Sequence, residues 1–107
     1  MKIIVTGTCG NSPKNKFVED FTTALLENDG AFLNEYKDDD VDIPNLIKIQ
    51  ECGTVEYIYA ISHGRAGNLL CKCLDNGIYF SFNYQFTNTK GEKIKEVIVT
   101  SEMIDVK

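Results

Sequence analysis

The spacing of apolar residues changes at Gly53, and this change restricts the fold more than any other feature of the chain. Between Phe17 and Tyr36 apolar residues recur at intervals of three and four, whereas beyond Gly53 they alternate with polar ones. The first spacing is typical of amphipathic helices and the second of half-buried strands. Turn residues divide the second half, which predicts four antiparallel strands over residues 55–62, 68–74, 78–87 and 93–103.

The third predicted strand shows the clearest alternation. Residues 78, 80, 82, 84 and 86 are isoleucine or aromatic, whereas the residues between them are Tyr, Ser, Asn, Gln and Thr. An antiparallel sheet with this pattern buries one face and leaves the other wet or available for an interface. The turns predicted between the strands span residues 63–67, 75–77 and 88–92.

Two helices are predicted before Gly53. Ser12 and Pro13 fit an N-cap and a first helical residue, since proline at that position loses no hydrogen bond. The helical spacing ends at Asn28, and Asp29 can cap a second, shorter helix. The acid run at residues 38–40 ends this helix, because the helix dipole disfavours carboxylates at a C-terminus.

These elements predict one α+β domain over residues 1–107. Its helices pack on the buried side of a curved four-stranded antiparallel meander, and residues 2–6 add a short N-terminal strand. Residues 46–52 allow either a third helix or an irregular bridge.

The charge balance argues against nucleic acid as a partner. The chain has 11 basic and 16 acidic residues, a net charge of −5, and Arg65 is its one arginine. Binding to phosphate backbones needs clustered lysine and arginine, which this chain lacks. No apolar run approaches the roughly 20 residues that span a bilayer, and residues 1–6 are too short for a signal sequence. We therefore expect no membrane contact and a cytoplasmic location.

The four cysteines are expected to be reduced, because no export signal is apparent. Cys71 and Cys73 are two residues apart, which does not fit the wider spacing of a zinc knuckle. Free cysteine packs as a small hydrophobic residue, so buried free thiols are predicted for Cys9, Cys52, Cys71 and Cys73, without a metal.

The N-terminal segment resembles a dinucleotide-binding turn, in which a strand runs into glycines and then a helix. Gly7 and Gly10 fit that pattern, but Pro13 stands where a third glycine is needed for close packing of the helix. The antiparallel second half also lacks the alternating strands and helices of such domains. Nucleotide binding is therefore not predicted, and no cofactor is expected.

The order of elements and several segments resemble the nuclear-transport-factor-2-like superfamily, which includes ketosteroid-isomerase-like and SnoaL-like proteins. The resemblance is strongest to a bacterial branch without assigned chemistry, and it covers most of the chain. It is carried by GNSPK at 10–14, FVEDF at 17–21, DGAFL at 29–33, ISHGRAG at 61–67 and GEKIKEV at 91–97.

This resemblance implies a cystatin-like cone, in which a bent sheet wraps the helices around an apolar pocket. It also implies a homodimer formed through the outer face of the sheet. In this superfamily a strand pair and a further helix usually close the cone after the acid run. Only residues 41–54 are available for that purpose here, so the cone could be truncated.

Asp42 and His63 are the candidate catalytic bases. In isomerases of the superfamily the base precedes a proline near the second helix, and Asp42 is displaced by one position from that place before Pro44. An acid run more often lies on a solvated surface, and His63 precedes Gly64 as turn residues do. His63 is also the one side chain whose ordinary pKa lies near neutrality.

Aromatic residues are the candidates for a ligand-binding wall, although the same spacing fits a plain hydrophobic core. The preferred hypothesis is a small domain that binds an apolar small molecule or acts as a dimeric interaction module. The alternative is an isomerase or dehydratase with Asp42 or His63 as base and a tyrosine as donor to an oxyanion. The candidate wall residues are Phe17, Phe21, Phe32, Tyr36, Tyr57, Tyr59, Phe80, Phe82 and Tyr84.

Overall fold

The described residues form a five-stranded mixed sheet with three helices, which confirms the predicted α+β class. The computed structural model describes residues 1–5, 12–88 and 92–103, with the backbone alone at 102 and 103. The glycine loop at 7–11 with Cys9, and Gly91 of the last predicted turn, lie outside the described residues. The elements are β1 (Lys2–Val5), α1 (Pro13–Glu27), α2 (Gly30–Tyr36), α3 (Ile47–Gln50), β2 (Thr54–His63), β3 (Ala66–Cys73), β4 (Ile78–Phe86) and β5 (Ile94–Met103).

The strands lie in chain order across the sheet. β1 pairs in parallel with β2, with Lys2 opposite Thr54, and the three helices lie in the connection between these two strands. β2, β3, β4 and β5 follow as antiparallel neighbours in this order. The sheet is therefore mixed, because the N-terminal strand joins the edge of the four strands predicted from the alternating half.

Both predicted helix starts are confirmed. The Ser12 side chain accepts a hydrogen bond from the Asn15 amide at 3.3 Å, and Pro13 begins α1. Asn28 ends α1 in the left-handed conformation with φ 56°, and Asp29 then caps α2 through the Phe32 amide at 3.2 Å. These short polar side chains satisfy amides that helix ends leave unpaired.

α1 packs closely on β2 and β3 because one glycine removes a side chain from the contact. A Cβ at Gly67 would lie 2.8 Å from Cγ2 of Val18 and 3.1 Å from Cζ of Phe86. The prediction that placed Gly67 in a turn is wrong, since it lies inside β3. Its role is to let the helix approach the sheet.

The two faces of the sheet differ as the alternation predicts. Phe80, Phe82, Tyr84 and Phe86 are buried against the helices, whereas the residues between them are exposed or half-buried. Val18, Phe21 and Leu25 of α1 complete this core. The core lies between α1 and the inner face, and no helix covers the outer face among the described residues.

The cysteine prediction is wrong for two of the residues. Cys52 and Cys73 form a disulfide with a Cα–Cα distance of 5.9 Å, and Cys71 is free and buried. The sheet register explains the pairing, because Val55 lies opposite Cys73 and brings the end of α3 beside β3. The bond links α3 to the sheet.

Candidate functional site

A cavity of about 390 Å³ lies between the short helix α3 and the neighbouring strands β4 and β5. It is on the inner side of the sheet, where Phe80 lies opposite Ser101 and Phe82 lies opposite Val99. Its lining residues are Asn45, Leu46, Ile47, Lys48, Ile49, Phe80, Val99 and Ser101.

α3 is held over the sheet by contacts at both of its ends. The Asn45 Oδ1 atom accepts a hydrogen bond from the Ile47 amide at 3.0 Å, which fixes the first turn. The Gln50 Nε2 atom donates to the Leu25 carbonyl of α1 at 3.2 Å, and Cys52 is tied to Cys73. α3 has four residues, and a helix this short depends on such tertiary contacts.

The segment that follows α3 is also anchored. The Asp75 carboxylate accepts hydrogen bonds from the backbone amides of Gly53 at 2.9 Å and Thr54 at 3.3 Å. The Gly53 carbonyl accepts from the Lys2 amide at 2.8 Å, so β1 is joined at the same point. These bonds fix the direction in which the chain leaves α3 and begins β2.

The cavity has an apolar interior and a polar rim. Leu46, Ile49 and Phe80 are at most 6% exposed and form its inner surface. Lys48 and Ser101 are exposed and lie at its edge. None of the residues given above as its lining carries a carboxylate, so the arrangement suits an apolar molecule better than a cation.

Of the aromatic residues predicted to bind a ligand, Phe80 alone lines this cavity. Phe17, Phe21, Phe32 and Tyr36 form edge and tilted ring contacts with one another, with centroids 4.7–6.4 Å apart. Such spacings are typical of packed aromatic clusters. These four rings meet in the contact between α1 and α2.

The buried tyrosines form hydroxyl pairs with two adjacent threonines of α1. Tyr84 pairs with Thr22 at 2.5 Å, and Tyr57 pairs with Thr23 at 2.8 Å between hydroxyl oxygens. Burial raises the pKa of both tyrosines well above the ordinary value of 10.0, although the threonine hydrogen bonds oppose the rise. Both phenols therefore stay neutral at physiological pH. Phe82 lies beside Tyr84, with ring centroids 6.4 Å apart.

Tyr59 is separated from the other aromatic candidates. The register of β2 against β3 shifts between Tyr57 and Tyr59, so these residues lie on opposite faces. Tyr59 is 39% exposed on the outer face, whereas Tyr57 is 2% exposed in the core. A strict period of two would have placed both tyrosines on the same face.

Asp42 and His63, the candidate bases, lie in two different surface hollows. Asp42 is exposed beside Lys95 and Glu96, in a hollow of about 280 Å³. His63 is exposed at the end of β2, in a hollow of about 200 Å³ that also contains Asn68 and Asn83. The structure brings neither residue to the Tyr57 and Tyr84 hydroxyls or to the cavity under α3.

No pattern in the sequence directly identifies Asn45, Lys48, Val99 and Ser101 as site residues. The apolar spacing of residues 46–52 was the one available indication, and it left a helix and an irregular bridge equally open. Ser101 could be assigned to the cavity only through its register with Phe80.

Within residues 1–5, 12–88 and 92–103, no three metal-binding side chains gather where they could hold an ion. None of the helices described is both long and apolar enough to cross a bilayer. We compared the chain with protein-family models, with curated proteins and with solved structures. No family model, curated protein or solved structure matched the chain.

Proposed function

We propose that this chain is a nuclear-transport-factor-2-like binding domain that holds an apolar small molecule in the cavity between α3 and strands β4 and β5. The observation that carries this proposal is the cavity of about 390 Å³ on the inner side of the sheet. Small-molecule sites start at roughly 300 Å³ and are lined mainly by apolar side chains with a few polar groups.

The way in which α3 is fixed supports binding at this place. A disulfide joins Cys52 to Cys73, and the Gln50 side chain is bonded to the end of α1. A wall that is already in position loses little conformational freedom when a ligand arrives, which favours affinity.

The resemblance to the superfamily supports the same location. A helix after the acid run closes the pocket in the family's cone, and α3 follows the acid run in this chain. The cystatin-like cone itself is part of the proposal.

The proposal is for binding and not for catalysis. Neither Asp42 nor His63 lines the cavity, and a general base must come within hydrogen-bond reach of the proton that it removes. An enzyme would need a base at the cavity, and among the lining residues that the structure describes Lys48 alone is titratable. Turnover of any substrate that depended on Asp42→Asn or His63→Ala would favour the enzymatic alternative.

The experiment is a fluorescence titration with 1-aminoanthracene, a neutral apolar dye that brightens in apolar surroundings. Val99→Trp fills the cavity, whereas Thr100→Trp places the same side chain on the opposite face of β5. We expect saturable binding to the wild type and to Thr100→Trp, and its loss in Val99→Trp. Equal binding by both variants, or none by the wild type, would contradict the proposal.

A homodimer through the outer face of the sheet is a second part of the proposal. Ile61 and Ile98 are 56% and 50% exposed there, and no described helix covers them. Asn68, between them in the sheet, donates hydrogen bonds to Ser81 and Asn83 on β4 at 2.9 and 2.7 Å. A face whose polar groups bond to one another can be buried against a second copy at low cost.

The disulfide bears on the compartment. Disulfides persist in oxidising surroundings and are rare in the cytosol of most organisms. The Cys52–Cys73 bond therefore favours an oxidising compartment over the predicted cytoplasmic location. Thiol counting on protein recovered from its native source decides between the two.

A further inference from the structure

The polar groups around the cavity under α3 indicate the chemical class of its ligand. Three of its lining residues carry polar side chains, namely Asn45, Lys48 and Ser101. Lys48 is a cation with three donor hydrogens, and Ser101 has a hydroxyl that can donate. Both are at the edge of the cavity, where a polar head group would lie.

Asn45 adds a donor whose orientation is fixed. Its Oδ1 atom accepts the hydrogen bond from the Ile47 amide at 3.0 Å, so the carbonyl side of the amide is already engaged. The Nδ2 group is then the part of the side chain left to face a ligand, and Nδ2 can only donate. The rim therefore combines the positive charge of Lys48 with donor groups, and none of the described lining residues carries a carboxylate that would oppose an anion.

The interior of the cavity requires the remainder of the ligand to be apolar. Leu46, Ile49 and Phe80 form the inner surface and are 6%, 1% and 3% exposed. Val99 extends this surface along β5, where it lies two residues before Ser101 on the same face of the strand. A molecule that satisfies both parts of the site has one anionic end and an apolar body.

We infer that the ligand is an amphipathic monocarboxylate, with its carboxylate at Lys48 and Asn45 and its apolar chain against Leu46, Ile49 and Phe80. This inference rests on the proposed function and names the ligand class for the same site. The whole chain has a net charge of −5, which is opposite in sign to the charge of Lys48 at the rim. Attraction of a carboxylate would therefore come from the local charge at the rim and not from the net charge of the protein.

The test measures binding affinity by isothermal titration calorimetry at low salt, with two probes of equal chain length, decanoate and decanol. Lys48→Met removes the charge and keeps the length of the side chain, and Lys93→Met removes a charge at the opposite end of β5. Because Lys48 is exposed, we expect Lys48→Met to weaken decanoate binding by about two- to fivefold. Decanol binding should be unchanged in both variants, and Lys93→Met should bind decanoate as the wild type does.

The outcomes separate the two proposals. If decanoate and decanol bind, Val99→Trp abolishes both and Lys48→Met weakens neither, then the carboxylate inference is wrong and the apolar site stands. If neither probe binds to the wild type, both proposals fail. If decanoate binds equally well to wild type and Val99→Trp, it binds elsewhere, which also overturns the inference. Raising the salt concentration should weaken decanoate alone, since surface ion pairs are screened.

Discussion

Two tyrosine hydroxyls lie inside the core, and each is paired with a threonine of α1. Tyr57 is 2% exposed and pairs with Thr23, and Tyr84 is 2% exposed and pairs with Thr22. Cys71, between them on β3, is fully buried, and burial raises its pKa from 9.0 to about 12. The core therefore contains three groups that ionise much less readily in the folded protein than in the unfolded chain.

These groups make the folded state sensitive to alkali. Folding raises the pKa of each group. The free energy of unfolding is therefore at its full value below the ordinary pKa values of 9.0 and 10.0, and it declines as the pH rises above them. The unfolded chain then releases protons that the folded protein retains. We expect the free energy of unfolding to fall above about pH 9, by about 1.4 kcal/mol per group and pH unit beyond each ordinary value.

Urea unfolding of the double variant Tyr57→Phe/Tyr84→Phe measures the share of the two phenols. The loss of two hydrogen bonds should lower its free energy of unfolding near neutral pH by about 2 kcal/mol. Its decline with alkali should be shallower, because Cys71 alone remains to titrate in this cluster. Parallel curves for wild type and variant between about pH 8 and about pH 11 would show that the phenols do not contribute.

Gly67 is the other residue with a specific structural task. Gly67→Ala forces Cγ2 of Val18 or the Phe86 ring to move, because its Cβ would lie within 2.8 and 3.1 Å of them. We expect a loss of about 1–3 kcal/mol in unfolding free energy, as for other overpacked cores. Gly30→Ala is the matched control, since a Cβ there meets nothing within 4 Å. A Gly67→Ala variant as stable as Gly30→Ala would contradict the close approach of α1.

Residue-scale features were the least accessible to sequence reasoning. The outward position of Tyr59 depends on a register shift in β2, and no residue type signals that shift. Gly67 looked like a turn residue because it follows Gly64 closely, and its contact with Val18 is tertiary. The pairing of Cys52 with Cys73 required the distance between them in the fold.

At the scale of elements, α3 decides whether the cavity has a wall. Its four residues are bound to the rest of the molecule by the Cys52–Cys73 bond, the Gln50 hydrogen bonds and the burial of Ile49 at 1% exposure. α1 and α2 were predictable because caps and helical spacing agree over several turns. α3 is too short to show a period, and the sequence left it undecided.

Removing the disulfide should loosen α3 and destabilise the fold. The bond closes a loop with a sequence separation of 21, for which the loss of chain entropy in the unfolded state gives about 3 kcal/mol. We therefore expect Cys52→Ala/Cys73→Ala to have a lower denaturant midpoint and weaker 1-aminoanthracene binding. A dithiol reductant should shift the midpoint of the wild type and leave that of the double variant unchanged. A wild-type midpoint that does not respond to complete reduction would contradict this account.

At the scale of the whole molecule, the sheet separates two kinds of surface. The inner face is covered by the helices and carries the cavity, and the outer face exposes Tyr59, Ile61 and Ile98. This two-sided character could be predicted from the alternation in β4, because a period of two assigns successive residues to opposite faces. The position of the cavity could not be predicted from the sequence, since it depends on where α3 packs against the sheet.

The outer face is expected to form the dimer. Sedimentation equilibrium at micromolar concentration should give twice the mass of the chain for the wild type. Ile98→Lys places a charge on this face, near the midpoint of the edge strand β5, and should shift the mass to that of one chain. Ile43→Lys, at a site that is 42% exposed before α3, should remain dimeric. A monomeric wild type would exclude the interface.

The central claim is that the cavity under α3 binds an apolar ligand, and amide chemical-shift mapping tests it most directly. The aromatic rings of 1-aminoanthracene shift the resonances of nearby amides in a ¹⁵N-labelled protein. We predict the largest shifts at residues 45–49 and around Phe80, Val99 and Ser101. Shifts centred on Ile61 and Ile98 of the outer face, or none at saturating dye, would contradict the claim.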